Sequence, residues 1–200
     1  AKELKEKLKK LPKEIEKVQV VGPYLNFFLN KEIFASKIIK EILKENEKYG
    51  SLNEKKKVVI EFLSPNTNKP LHLGHLRNLS LGESLSRILE FGGNKVVRVN
   101  LYNDRGIHII KSMLAYEKFG KNKKPNKKPD HFVGSFYVLF NEKVKEKPEL
   151  QEEAEEMLRK WEAGNRRVVD LWKKMNKWAL DGFHETYEKL GIKFDKEYFE

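Results

Sequence analysis

The stretch from Glu61 to Arg77, EFLSPNTNKPLHLGHLR, holds the residues of this chain whose types and spacing could do chemistry. His72 and His75 stand three residues apart with Gly74 between them, and Lys69 precedes them. Two imidazoles so placed can donate hydrogen bonds to a phosphate whose charge redistributes during attack at phosphorus. Lys69 adds a point charge beside them. Gly74 removes a side chain, so a flat base could approach the backbone closely. None of these groups has to act as nucleophile, because positioning and electrostatics suffice for transfer at phosphorus. A plainer alternative stands beside this one, in which both histidines are capping or surface residues.

The elements around the stretch decide how much weight it carries. Val58 to Leu63 is a continuous apolar run of the kind buried in a parallel sheet. A Ser-Pro-Asn-Thr-Asn loop follows, then a helix expected over 73–91, ended by Gly92-Gly93. A second, Val-rich strand is expected over 95–102, and Asn103-Asp104 then caps a helix to about Phe119. Strand, helix, strand, helix at these lengths is a βαβ unit with a right-handed parallel pair, so the fold class is α/β. The loop lies at the carboxyl end of the first strand, where open α/β sheets bind ligands. Free amides at the helix start would add positive potential for phosphates. There is no Walker A pattern and no Gly-x-Gly-x-x-Gly, so ordinary kinase and dehydrogenase readings lose support.

Before this unit, residues 1–17 read as a charged helix interrupted by Pro12, 18–21 and 24–29 as short strands about a Gly22-Pro23 turn, and Asn30 as the cap of a helix with Ile38, Ile39, Ile42 and Leu43 on one face. After it come a basic, Pro-interrupted loop over 120–130 and then mostly helix. Over 150–190, Ala154, Met157, Leu158, Trp161, Val168, Trp172, Met175, Ala179, Phe183, Tyr187 and Leu190 recur at helical steps, with Gly164 as a break. The three tryptophans are therefore read as core residues, and these helices as able to fold independently. Ile192-Lys193-Phe194 reads as the start of another strand.

Over 200 residues, 39% hydrophobic and 11% aromatic composition suffices for a packed core, and no apolar run approaches the roughly 20 residues that span a bilayer. The chain has no cysteine, so neither a disulfide framework nor a thiolate metal site can form; a cytoplasmic protein without a structural metal is expected. A formal charge of +11 favours anionic partners such as nucleic acid, although a Lys/Glu-rich surface equally suits ion-pair networks. The chain starts without Met and stops soon after a strand signal, so we expect segments missing on both sides and an exposed sheet edge at 95–102.

His-Leu-Gly-His resembles the His-x-Gly-His signature of class I aminoacyl-tRNA synthetases, and SPNTNKPLHLGHLRN resembles arginyl-tRNA synthetases in particular. The likeness continues in RVNLYNDRGIHIIKS and in GPYLNFFLN, the latter similar to the end of that family's N-terminal tRNA-binding appendage. The resemblance implies a Rossmann-like catalytic domain whose first half lies at 51–120, preceded by an appendage remnant and connecting helix at 1–50, and followed at 121–200 by a mainly helical insertion leading to the next strand. It implies ATP-dependent activation of L-arginine and transfer to the 3′ end of tRNA(Arg), with Mg2+ accompanying ATP.

On this resemblance, His72, Gly74 and His75 would bind ATP with Lys69 near its phosphates, and Lys69, His72 and His75 would be catalytic. Arginine's guanidinium needs an anion and neutral acceptors, and Glu61, Ser64 and Asn66 match the family's arginine contacts. Glu61 on a buried strand would be costly without a partner; the alternative is an internal Arg77 or Lys partner. Asn66 and Asn68 could instead shape the turn. Asp104-Arg105-Gly106-Ile107-His108 departs from the family's Asp-Trp-Gly with a Gln two residues on, leaving Asp104 and His108 open between ligand contact and structural roles. The second half of the sheet, a second ATP-contacting loop and the anticodon-binding domain would lie beyond this chain, which alone would be poorly active. Two other readings remain: a class I-like nucleotidylyltransferase, and a basic RNA-binding module without catalysis.

Overall fold

A computed structural model describes residues 1–8 and 10–200, in two compact units, Ala1–Leu52 and Asn53–Glu200. In the first, α1 (Lys2–Lys7) precedes an antiparallel hairpin of β1 (Ile15–Val21) and β2 (Tyr24–Leu29), and α2 spans Lys31–Glu45. The helix expected over 1–17 is thus much shorter, and Lys9 within it lies outside the described residues. Pro12 cannot continue a helix, and its carbonyl instead accepts from Ile15 N–H at 3.0 Å in the turn that launches β1. Asn30 caps α2, its side chain accepting from Ile33 N–H at 3.1 Å. The apolar face of α2 is largely exposed at Ile39, Ile42 and Leu43.

In the second unit β3 (Lys57–Glu61), α3 (Leu73–Phe91) and β4 (Lys95–Tyr102) form the βαβ element. β3 and β4 are parallel, from Lys57 opposite Lys95 to Glu61 opposite Val99. β5 (Lys196–Phe199) adds in parallel on the far side, so the order is β3-β4-β5 and β4 is central. This corrects two expectations. The third strand lies beyond Ile192-Lys193-Phe194, because Ile192 and Phe194 pack into the core beneath the sheet instead of joining it. The strand expected to present an edge is flanked on both sides.

β3 also differs from a strand buried on both faces: Val59 is 62% exposed, and the buried apolar pair, Phe62 and Leu63, comes after the strand proper. α3 is held to β4 by Arg98, whose guanidinium bonds Glu83 at 2.8 Å and Glu90 at 2.7 Å, both on α3. Burial would raise the Glu83 carboxyl, but hydrogen bonds from Arg98 and Arg87 outweigh it and hold Glu83 below the usual range. Gly82 lets α3 lie directly on Phe62, since a Cβ there would overlap the ring.

The helices α4 (Ile107–Phe119), α5 (Pro129–Glu146), α6 (Leu150–Glu162) and α7 (Arg166–Leu190) surround one core of Ile110, Met113, Phe132, Phe140, Leu150 and Met175. Trp161, Trp172 and Trp178 pack against it, as their spacing implied. Gly164, at φ +74°, separates α6 from α7. The helices after 150 do not stand apart, however. Ala179, Phe183 and Tyr187 of α7 pack with Phe62, Leu79 and Tyr102 of the βαβ element. Only Leu190 of the expected apolar series is turned out, at 45% exposure.

Candidate nucleotide and amino-acid site

The chain leaves β3 through an unusual bend. Leu63 and Ser64 both adopt left-handed backbone, φ +81° and +45°, a conformation costly for L residues. The bend brings the Ser64 hydroxyl back onto the last residue of the strand, where it donates to Glu61 Oε1 at 2.8 Å. Glu61 is exposed, not buried as the sequence suggested, and among the described residues it makes no ion pair with Arg77 or a lysine. The reason is its face of the strand: Lys57, Val59 and Glu61 alternate onto the side of β3 that stays exposed among the described residues, so a free carboxylate there carries little desolvation cost.

The rest of the loop is pinned from several elements. Ser64 N–H donates to Asn100 Oδ1 at 3.0 Å. Asn66 extends the β3–β4 pairing by bridging to Asn103. Thr67, buried, donates from Oγ1 to Asn176 Oδ1 of α7 at 2.6 Å. Asn68, also buried, donates from Nδ2 to the His108 carbonyl at 3.2 Å. Pro70 lies against Gly134 of α5, where no Cβ would fit.

The two histidines cap α3 reciprocally. His72 is the N-cap, and its Nδ1 accepts from Gly74 N–H at 3.1 Å. His75 Nδ1 accepts from His72 N–H at 3.1 Å. The rings lie 4.0 Å apart, centroid to centroid. Gly74 is needed by the cap itself, because a Cβ would come within 2.9 Å of the His72 ring. The expectation of free amides at this helix start is therefore corrected in part: the N–H groups of His72 and Gly74 are already taken. A nitrogen that accepts a backbone N–H carries no proton, so in each ring the proton sits on Nε2 and is available to a ligand. Burial, then the proximity of the His72 ring and of the Lys69 ammonium, push the His75 pKa down, which keeps this donor neutral.

Lys69 lies with its Nζ 5.2 Å from the centre of the Tyr137 ring, a cation–π contact. The Tyr137 hydroxyl is 3.1 Å from His108 Nδ1. His108 is thus tied to Tyr137 and, through its carbonyl, to Asn68. Asp104 does not cap α4: the N-cap is Gly106, at φ +98°, and Asp104 is buried. Burial pushes its carboxyl up, and its carbonyl accepts from Trp172 Nε1 of α7 at 2.7 Å. Gly106 takes the cap because only a residue free to adopt that φ can turn the chain there.

Asn100, Thr67, Tyr137, Asn176 and Tyr187 were absent from the sequence-based candidates. Asn100 sits inside a strand of the RVNLYNDRGIHIIKS stretch, which carries the family likeness but assigns it no role, and Asn176 sits inside a helix with no turn or motif to mark it. Their partners in the loop are 36 and 109 residues away.

Tandem histidines on the first turn of the helix that follows a parallel strand, with a carboxylate at that strand's carboxyl end, define a class I aminoacyl-tRNA synthetase type of catalytic domain. The family model described as tRNA synthetases class I (R), catalytic domain, matches residues 38–197. The chain belongs to that family. The arginine–tRNA ligase of Treponema denticola is 56% identical over 189 residues, covering 91% of this chain, and that of Borrelia duttonii is 53% identical over 190. The chain spans about a third of the length of these relatives, 32% in each. The solved Thermus thermophilus arginyl-tRNA synthetase superposes on all of this chain with a TM-score of 0.71 at 31% identity, covering 32% of that structure. The Plasmodium falciparum arginyl-tRNA synthetase shares the fold, with a TM-score of 0.65 at 21% identity over 94% of this chain.

Proposed function

We propose that this chain forms part of an arginine–tRNA ligase that activates L-arginine with ATP and transfers it to the 3′ end of tRNA(Arg) in the cytoplasm. The observation that carries the reading is the reciprocal cap of His72 and His75, which holds two Nε2–H donors at the start of α3 beside Lys69. ATP binds with its phosphates over Lys69, His72 and His75, and Mg2+ arrives with the nucleotide, since its preferred ligands are phosphate oxygens and water. Glu61 takes the arginine guanidinium, with Ser64 and Asn66 as neutral partners. The arginine carboxylate attacks the α-phosphorus and pyrophosphate leaves. The histidines meet the charge that builds on the phosphate oxygens without transferring a proton. Residues 1–50 serve as the remnant of a tRNA-binding appendage, and the activity requires the remaining parts of a full-length ligase.

The test is arginine-dependent ATP–pyrophosphate exchange by the complete gene product, with and without tRNA. Exchange supported by arginine and by no other amino acid is the expected result. Nucleotide transfer to an acceptor other than an amino acid would favour a nucleotidylyltransferase. RNA binding without exchange would favour a non-catalytic module.

A further inference from the structure

The left-handed turn at Leu63–Ser64 is held from outside the loop, and the holder leads away from the site. Asn100 is fully buried in the central strand β4, and both ends of its amide are used. Its Oδ1 accepts from Ser64 N–H at 3.0 Å, and its Nδ2 donates to the Tyr187 hydroxyl at 3.3 Å. Tyr187 lies on α7, a helix that contributes none of the proposed ligand contacts. Its hydroxyl is 3.4 Å from that of Tyr102, which in turn donates to Glu197 at 2.6 Å. The amide therefore has one orientation, and Ser64 one position. The other half of the loop has separate holders: Asn176 for Thr67, the His108 carbonyl for Asn68, and Gly134 against Pro70.

We propose that Asn100 and Tyr187 are positioning residues for arginine recognition: by fixing Ser64 they set where the Glu61 carboxylate stands, while ATP binding rests on the other holders. The inference rests on the reading of Glu61 as the guanidinium partner. Disfavoured backbone at two successive residues persists only where the surroundings over-determine it. Without the bond from Asn100, Leu63 and Ser64 relax toward ordinary φ values and the Ser64 hydroxyl leaves Glu61.

The experiment measures KM for arginine and for ATP separately, by pyrophosphate exchange with tRNA present, in the complete gene product and four variants: Glu61→Gln, Asn100→Leu, Asn100→Asp and Tyr187→Phe. Asn100→Leu keeps the volume and removes both hydrogen bonds. It should raise the arginine KM roughly tenfold, with the ATP KM within about twofold, the scale set by one lost hydrogen bond to a site residue. Asn100→Asp keeps an acceptor for Ser64 N–H and should recover most of the loss. Tyr187→Phe should move the arginine KM in the same direction by less, and it decides the matter if Asn100→Leu does not fold. If Glu61→Gln weakens arginine but Asn100→Leu and Tyr187→Phe do not, the positioning role is overturned and the arginine site stands. Equal weakening of arginine and ATP also overturns it. If Glu61→Gln leaves the arginine KM unchanged, the guanidinium assignment fails and takes this inference with it.

Discussion

The His75 ring accepts the backbone N–H of His72 at 3.1 Å, while the His72 ring reaches forward to Gly74 N–H, so the two side chains proposed to meet the ATP phosphates also complete the first turn of α3. Capping and ligand binding are not rivals here. The cap spends Nδ1 of each ring and thereby commits Nε2 to carry the proton.

This double use can be taken apart by mutation. His75→Ala removes both roles and should lower the activation rate roughly a hundred- to thousandfold, the range for losing one transition-state donor. His75→Asn can still accept the His72 N–H and should keep the helix start, so its unfolding midpoint should match the parent while its activation rate falls nearly as far. Rates of pyrophosphate exchange at saturating ATP and urea unfolding of the same proteins check both halves. An alanine variant with an unchanged rate would remove His75 from the chemistry.

The depressed His75 pKa has a consequence in acid. Burial, then the proximity of the His72 ring and the Lys69 ammonium, lower it below the ordinary value of 6.5. The unfolded chain therefore binds the proton more readily than the folded one. The stability that the neutral ring contributes is complete above pH 6.5 and is lost as the pH falls through the lower folded value. Protonation of Nδ1 would also break the bond to His72 N–H. We expect the His75 ring resonance to titrate below pH 6.5, as followed by NMR. A midpoint above that of a free histidine would contradict the burial argument.

Glu61→Gln preserves the shape of the strand end and the acceptor for the Ser64 hydroxyl while removing the charge. Arginine affinity should fall by at least tenfold, because charge-assisted, bidentate pairing is about twice as strong as neutral pairing. Isothermal titration with arginine and with ATP separates a specific loss from a general one, which would weaken both ligands alike.

Arg98 joins β4 to Glu83 and Glu90 of α3, and its side chain is only 14% exposed. Arg98→Met should cost about 2 kcal/mol, less than the roughly 3–5 kcal/mol of a fully buried pair, because Glu90 reaches solvent. Both carboxyls have folded pKa values below the ordinary 4.5, so their contribution is present above that pH and is lost below it. Urea unfolding at neutral pH should show the full difference between parent and variant. As the pH falls below 4.5 and through the lower folded values, the two should converge.

Gly82→Ala tests how closely α3 lies on Phe62. The added methyl overlaps the ring and must push the helix outward, at about 1–3 kcal/mol for an overpacked core position. Replacing Phe62 by Leu in the same chain should restore part of that loss, which thermal unfolding of the single and double variants would reveal.

Much of the fold was legible in the sequence because its signals are local. The bounds of α3 and β4, the Asn30 cap and the Gly164 break each follow from residues within a few positions of one another. The His72, Gly74 and His75 group was legible for the same reason: its spacing is its geometry once a helix starts there. Tertiary structure decided what those residues answer to. Glu61 is exposed because it shares with Lys57 and Val59 the face of β3 that stays uncovered among the described residues, which the strand's continuous apolar run does not announce. Asp104 is buried and leaves the cap to Gly106 because α7 lies over it and bonds its carbonyl through Trp172. Ser64 depends on Asn100, and Thr67 on Asn176, across 36 and 109 residues. Periodicity reports which face of an element is apolar, but a buried polar group is satisfied by whichever partner the packing delivers, and that is known only when the elements have met.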